Sequence, residues 1–153
     1  MKPSAPFGEQ SPEQIVETHF PVVQYHFVEM LTAHLADCSR TFDGDLQQML
    51  LLALIGQVHI EHYRRHGGDV SDVRGLSASR LADVSGIPRQ TVRRKLSLLA
   101  ARGWIEETVP GSWRLKMEHG SAKAKTDLGA LNDRNKQRMA KLIAAIAPLI
   151  AHH

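Results

Sequence analysis

The 153-residue chain contains a single cysteine and few aromatic residues. Because a lone thiol cannot form an internal disulfide, Cys38 is typical of a reducing compartment and predicts a cytoplasmic location. Leu50–Ile55 is apolar, but this run is far shorter than the roughly 20 residues that a membrane span requires. Residues 1–11 are polar and contain proline, unlike a signal peptide. We therefore expect no membrane partner.

Sequence signatures of catalysis are also missing. The chain has no Gly-rich phosphate loop, no nucleophile elbow and no HExxH motif, and its carboxylates are scattered. These absences predict that the protein is not an enzyme and that it uses no cofactor. The length suits a single domain over residues 1–153.

Charge is distributed unevenly along the chain. The formal net charge is +3, yet the segment from Arg74 to Lys125 holds eleven Lys or Arg against four acidic residues, a local net charge of +7. The remaining residues carry a net charge of −4. A basic middle between acidic ends favours a segment that faces a polyanion and is attached to a separate scaffold.

The stretch 76–116 predicts two short helices followed by a small two-stranded ribbon. Ser77 is suited to cap the first helix, Gly86 to turn the chain with a positive φ, and Pro88 to begin the second helix. This succession is typical of a winged helix-turn-helix, which we assign to residues 74–117. The predicted elements are Ser77–Val84, Pro88–Arg102, Trp104–Glu107 and Trp113–Lys116.

The second predicted helix has an apolar side and a basic side. Val92, Leu96 and Leu99 recur at helical spacing and predict the buried side. Arginine can pair with guanine, glutamine with adenine, and hydroxyls reach phosphate. We therefore expect binding to double-stranded DNA, with Arg114 in or beside a minor groove and Ser112 on a phosphate. The full set of predicted contacts is Arg89, Gln90, Thr91, Arg93, Arg94, Ser97, Ser112 and Arg114.

Two other interpretations of this basic side stay open. An isolated basic helix is usually only a solvated charged face. A winged helix can also act as a protein-interaction module, although such modules tend to present apolar or aromatic anchors.

Residues 11–66 predict N-terminal scaffold helices. Ser11 and Gln14 form a capping-box pattern, and Pro21 interrupts or restarts the first helix. Asp43 is expected to cap a further helix that runs to about His66. Its portion Leu46–Ile55 is apolar nearly all round and predicts a buried central helix.

Residues 121–152 predict one long C-terminal helix. Apolar residues recur along it in steps of three and four, a heptad-like seam that could be ordinary core or a subunit interface. Because both ends of the chain carry apolar helices, we favour a homodimer. Twofold symmetry would place two second helices about 10 bp apart on a pseudo-palindromic operator. The seam comprises Leu128, Leu131, Met139, Leu142, Ile146 and Leu149.

The segment LADVSGIPRQTVRRKLSLLAARGWIEE, residues 81–107, resembles the MarR family of bacterial transcription regulators. The resemblance implies a mainly α fold with a small β-wing, in which N- and C-terminal helices form the dimer interface. It also implies a sequence-specific transcription regulator, most simply a repressor that a small-molecule effector releases from DNA.

Histidines and the cysteine raise the question of sensing. His59, His62 and His66 share a helix face and could bind zinc, although a polar surface face is the commoner explanation. His19, His26 or His34 would supply further ligands. Cys38 could sense oxidants, although a buried inert thiol is more common. We predict neither a metal site nor a redox site.

Overall fold

The computed structural model describes residues 8–151, with the side chain of Ala151 left out. The predictions for residues 1–7 and for residue 152 lie outside this range. The described chain is mainly helical with a small antiparallel sheet, as expected. Its helices are α1 (Pro12–Thr18), α2 (Phe20–Thr41), α3 (Leu46–His66), α4 (Ala78–Ser85), α5 (Arg89–Ala101), α6 (Lys123–Asp127) and α7 (Gly129–Ala151). Its strands are β1 (Leu76–Ser77), β2 (Ile105–Val109), β3 (Ser112–Leu115), β4 (Met117–Glu118) and β5 (Ser121–Ala122).

The described residues fall into two compact units. The first unit contains residues 8–37 and 131–151, and the second contains residues 38–130. The first unit is therefore built from two separated stretches of chain, whereas the second is continuous.

The N-terminal helices begin where the sequence indicates. Ser11 Oγ accepts a hydrogen bond from the Gln14 backbone N–H at 3.2 Å, and Gln14 Oε1 accepts one from the Ser11 N–H at 2.8 Å. The predicted capping box is thus confirmed. Helix α1 ends at His19, and α2 restarts with Pro21 in its first turn, where a missing N–H costs nothing.

Helix α3 differs from its prediction in two respects. Its N-cap is Asp45 and not Asp43, because Asp45 accepts the Gln48 backbone N–H at 3.1 Å. Asp43 has a φ of +54° and lies in the turn before Gly44. Nor is the stretch Leu46–Ile55 buried all round. Leu46 and Leu50 are exposed, and only one side of the helix faces the core.

A three-stranded antiparallel sheet replaces the predicted two-stranded ribbon. Its order is β1-β3-β2, with Leu76 opposite Trp113 and Ile105 opposite Leu115. The short β1 can pair with β3 because Gly75 lets the two backbones approach; a Cβ there would collide with the Trp113 carbonyl. The core of the second unit lies between this sheet and helices α3, α4 and α5.

The prediction of one long helix over most of residues 121–152 agrees with α7 from Gly129 onward, but the first quarter of that range differs. Residues 117–122 form the hairpin of β4 and β5, and the short α6 ends at Leu128 before α7 begins. Along the predicted seam Leu131 is buried, whereas Met139 is half exposed.

A buried carboxylate joins α2 to α7 within the first unit. Asp37 accepts hydrogen bonds from Arg134 Nε at 2.7 Å and Nη2 at 2.8 Å, and from Arg138 Nη2 at 2.6 Å. The bonds from Arg134 hold the pKa of Asp37 well below its usual value, and those from Arg138 add to them against the opposing effect of burial. Lys141 and Glu29 form a further ion pair between the same helices at 3.1 Å.

The first unit also exposes many apolar side chains. Tyr25 is 63% exposed and Ile143 is 65% exposed. These exposed apolar side chains lie on α1, α2 and α7. Further exposed members are Val16, Phe20, Val22, Phe27, Val28 and Met139.

Candidate nucleic-acid interface

Local capping and turn chemistry set the entry into α4 and α5. Ser77 Oγ accepts the Arg80 N–H at 3.1 Å, which confirms the predicted N-cap of α4. Gly86 ends α4 in the left-handed region with φ +73°, as its position in the turn required. The buried Ile87 then anchors the turn. Pro88 is the N-cap of α5 and not its first residue, so that prediction was one position out.

The buried side of α5 fixes which side chains face outward. Val92, Leu96 and Leu99 are at most 1% exposed, which confirms the predicted inner side. Because α5 is anchored along this side, its opposite face must point away from the core. That face carries Arg89, Gln90, Arg93, Arg94 and Ser97, all exposed, with Thr91 half-buried beside them.

The three arginines of this face keep their charge free of internal partners. Within residues 8–151, none of the guanidinium groups of Arg89, Arg93 and Arg94 lies in an ion pair or hydrogen bond with an acidic side chain. Ser97 donates its hydroxyl to the Arg93 backbone carbonyl at 3.2 Å. We call the side chains of Arg89, Arg93 and Arg94 the free arginine face of α5. Chemically it offers several N–H donors and positive charge to an external anion.

The other two cations near α5 are held by the turn between α2 and α3. Lys95 Nζ lies 2.5 Å from Asp45 Oδ2, and both side chains are largely buried. Arg102 lies 4.8 Å above the ring of Trp104 and 5.8 Å above that of Phe42. Neither Lys95 nor Arg102 was predicted to have a role. Their spacing of seven residues, which places them on one helix face, is the feature of the sequence that could have indicated a shared environment.

Arg114 and Ser112 of the hairpin make hydrogen bonds within the protein. Arg114 Nε donates to Glu106 at 3.1 Å, and its Nη1 donates to the Ser71 carbonyl at 3.0 Å. Ser112 donates its hydroxyl to the carbonyl of Arg74. Both side chains thus fasten residues 71–74 to the sheet. A guanidinium group has five N–H donors, so these bonds do not exclude the predicted contact of Arg114 with a minor groove. The contact of Ser112 with a phosphate likewise stays a prediction.

The histidines of α3 do not form a metal site in the described structure. His62 and His66 have ring centroids 4.6 Å apart, but among residues 8–151 no three His, Cys, Asp or Glu side chains are grouped to hold a metal ion. Burial lowers the pKa of His59, and the nearby His62 and Arg114 lower it further. His19, His26 and His34 add no such group.

The side chain of Cys38 is 1% exposed. Oxidants and thiol reagents act on accessible thiolates, so the native fold shields this side chain from them. This placement does not favour the alternative in which Cys38 senses oxidants.

Comparison of the chain with protein-family models, with curated proteins and with solved structures found no significant match. No helix among residues 8–151 combines the length and the apolar character needed to cross a membrane.

Proposed function

We propose that the protein is a homodimeric, sequence-specific DNA-binding regulator of transcription, most simply a repressor. In this proposal residues 74–117 form a winged helix-turn-helix of the MarR type, and α5 enters the major groove. The protein acts by occupying DNA and not by catalysis.

One observation carries this proposal: the free arginine face of α5. Among residues 8–151 these three guanidinium groups have no acidic partner, and they lie on the outer side of a helix whose inner side is anchored by Val92, Leu96 and Leu99. The helix diameter fits the major groove, where arginine pairs bidentately with guanine and the exposed Gln90 with adenine. A cluster of like charges on one helix face creates a local field that attracts a polyanion.

The decisive experiment is selection of bound duplexes from a random pool, followed by gel-shift titration of the enriched sequence. We expect enrichment of a pseudo-palindrome and a steep loss of affinity with salt, because the bound cations displace counterions from the phosphates. Arg93→Ala and Arg94→Ala should each weaken binding by about 1–3 kcal/mol where the side chain reads a base. Where the arginine instead contacts a phosphate, the slope of log affinity against log salt concentration should fall by about one.

Arg64→Ala is the matched control for these variants. Arg64 is an exposed arginine of α3 that already pairs with Glu61 at 3.2 Å, and its removal changes the net charge by the same amount. It should leave the affinity for the selected duplex nearly unchanged. No enrichment from the pool, together with no shift of random duplex at low salt, would refute DNA binding.

The homodimer part of the proposal is supported by the exposed apolar side chains of the first unit. Ile143→Asp would place a charge at a residue that is 65% exposed, and we expect it to convert a dimer into monomers in sedimentation velocity. Val109→Asp is the control, because Val109 is 62% exposed on the hairpin of the second unit. A monomeric wild-type protein, or an Ile143→Asp variant that sediments as the wild type does, would reject the dimer.

A protein-interaction module is the second candidate function. Leu98 of α5 and Val84 of α4 are partly exposed, at 43% and 53%, and could serve as apolar anchors. Leu98→Ser separates the two functions, since a DNA-binding surface made of arginines should keep its affinity for the selected duplex.

A further inference from the structure

Helix α5 carries a second cationic side that is occupied within the protein. Lys95 Nζ lies 2.5 Å from Asp45 Oδ2, with 12% of the lysine side chain and 18% of the aspartate side chain exposed. This ion pair connects the middle of α5 to the turn between α2 and α3. It is a long-range contact, because 50 residues separate the two partners in sequence.

Asp45 is itself held in place by α3. As the N-cap it accepts the Gln48 backbone N–H at 3.1 Å, and it accepts the Gln48 side-chain amide at 2.9 Å. Burial alone would raise the pKa of Asp45, but the hydrogen bonds from Lys95 and Gln48 outweigh it and lower the pKa. The carboxylate is therefore charged and fixed in direction at neutral pH.

The packing of Val92, Leu96 and Leu99 sets which side of α5 faces the core. The Lys95–Asp45 ion pair adds to that packing a contact that depends on both distance and angle. A rotation of about 10° around the helix axis moves a side-chain end roughly 6 Å from that axis by about 1 Å. Such a displacement is enough to spoil a bidentate hydrogen bond to a base, which needs both distance and angle.

We propose that Asp45 is a positioning residue for DNA recognition: by binding Lys95 it fixes the rotation of α5 and so the direction of the free arginine face. This inference rests on the proposed DNA binding. A buried ion pair often contributes little net stability, and in some proteins it fixes a unique geometry. Here that geometry is the direction of the α5 side chains.

Whether Asp45→Asn strengthens or weakens DNA binding tests this inference. DNA is a polyanion, so removal of a negative charge should by itself strengthen binding. Asp45→Asn removes the charge but keeps an N-capping side chain, so α3 retains its start. We expect it to weaken binding of the selected duplex by about tenfold, the order of one lost base contact, and to leave a scrambled duplex bound no more weakly.

Asp43→Asn is the matched control within the same turn. The Asp43 side chain is 90% exposed and lies 3.9 Å from Arg102, so its loss removes the same charge without breaking a buried contact. Asparagine also tolerates the positive φ of this position. Binding of both duplexes should be unchanged or stronger.

Lys95→Met and Lys95→Arg provide an independent second pair, in case Asp45→Asn impairs folding. Methionine keeps the apolar stem but loses the ion pair, and should reduce the preference for the selected over the scrambled duplex. Arginine keeps the pair and should restore that preference. The double variant of Asp45→Asn with Lys95→Met should lose no more specificity than either single variant, because both remove one interaction.

Circular dichroism measures the folded fraction of each variant before the DNA titration. If Asp45→Asn binds the selected duplex as tightly as Asp43→Asn does, the positioning role is overturned while DNA binding stands. If the wild-type protein binds neither duplex, the proposed function itself fails.

Discussion

Substitution of Asp37 tests what holds α2 to α7 in the first unit. The carboxylate is 3% exposed and accepts three hydrogen bonds of 2.6–2.8 Å from Arg134 and Arg138. Asp37→Asn keeps the size of the side chain, removes its charge and turns an amide N–H toward a guanidinium donor. Breaking a buried ion pair from one side costs about 3–5 kcal/mol; we expect the lower end, about 3 kcal/mol, because water screens the partly exposed Arg134.

Urea denaturation followed by circular dichroism measures this loss directly. The melting temperature should fall by about 6–12 °C, since each kcal/mol shifts a chain of this size by about 2–4 °C. Asp133→Asn is the control: it removes the same charge from an α7 residue whose side chain is 73% exposed and 3.8 Å from Lys136. It should leave the free energy of unfolding unchanged.

The second half of the test is how the difference in free energy of unfolding between the wild type and Asp37→Asn depends on pH. A carboxyl group whose pKa is lowered by folding stabilises the native state above its unfolded pKa, about 3.9. That stabilisation is lost as the pH falls from there toward the lower folded pKa. The gap between wild type and Asp37→Asn should therefore be full near neutral pH and shrink below about pH 4. A gap that persists unchanged in acid, or an Asp37→Asn variant as stable as Asp133→Asn, would refute the reasoning.

Two further predictions concern the second unit. Gly75→Ala should destabilise the protein far more than Gly86→Ala: both glycines have positive φ, but only at Gly75 would the added Cβ collide with the Trp113 carbonyl. Chemical denaturation of the two variants measures the difference, and equal losses would show that β1 can shift away from β3. Cys38 should react slowly with a chromogenic disulfide reagent in native buffer and rapidly in concentrated guanidinium chloride, because the fold buries it. Rapid reaction of the native protein would show that the thiol is accessible.

Features that depend on neighbouring residues could be predicted from the sequence. The capping box of Ser11 and Gln14, the N-cap at Ser77 and the turn at Gly86 each follow from side chains within a few positions. The spacing of Val92, Leu96 and Leu99 likewise determined which side of α5 is buried, and hence where its arginines point.

Features that depend on distant residues could not be predicted in this way. The two-residue strand β1 forms only because β3 pairs with it, and no local pattern at Leu76 indicates a strand. Asp43 and Asp45 both flank Gly44 and both suit a helix cap, so sequence alone could not choose between them. The hydrogen bonds of Arg114 could not be predicted either, because their acceptors, the carbonyls of Ser71 and Val73, are about 40 residues away in sequence.

The candidate interface shows the same division. The arginines of α5 were identified because helical spacing separates them from the apolar side. Which cations are free and which are paired inside the protein depends on contacts between distant parts of the chain, such as that of Lys95 with Asp45. Sequence reasoning therefore found the basic surface but could not identify the ion pair that orients it.

The order in which the two units can be completed follows from their chain layout. Residues 38–130 are contiguous, so this unit can fold while synthesis is still in progress. The other unit needs Asp37 to meet Arg134 and Arg138, which leave the ribosome almost a hundred residues later. Until then the apolar side chains of α1 and α2 remain uncovered on the nascent chain, and they would be the natural target of a chaperone.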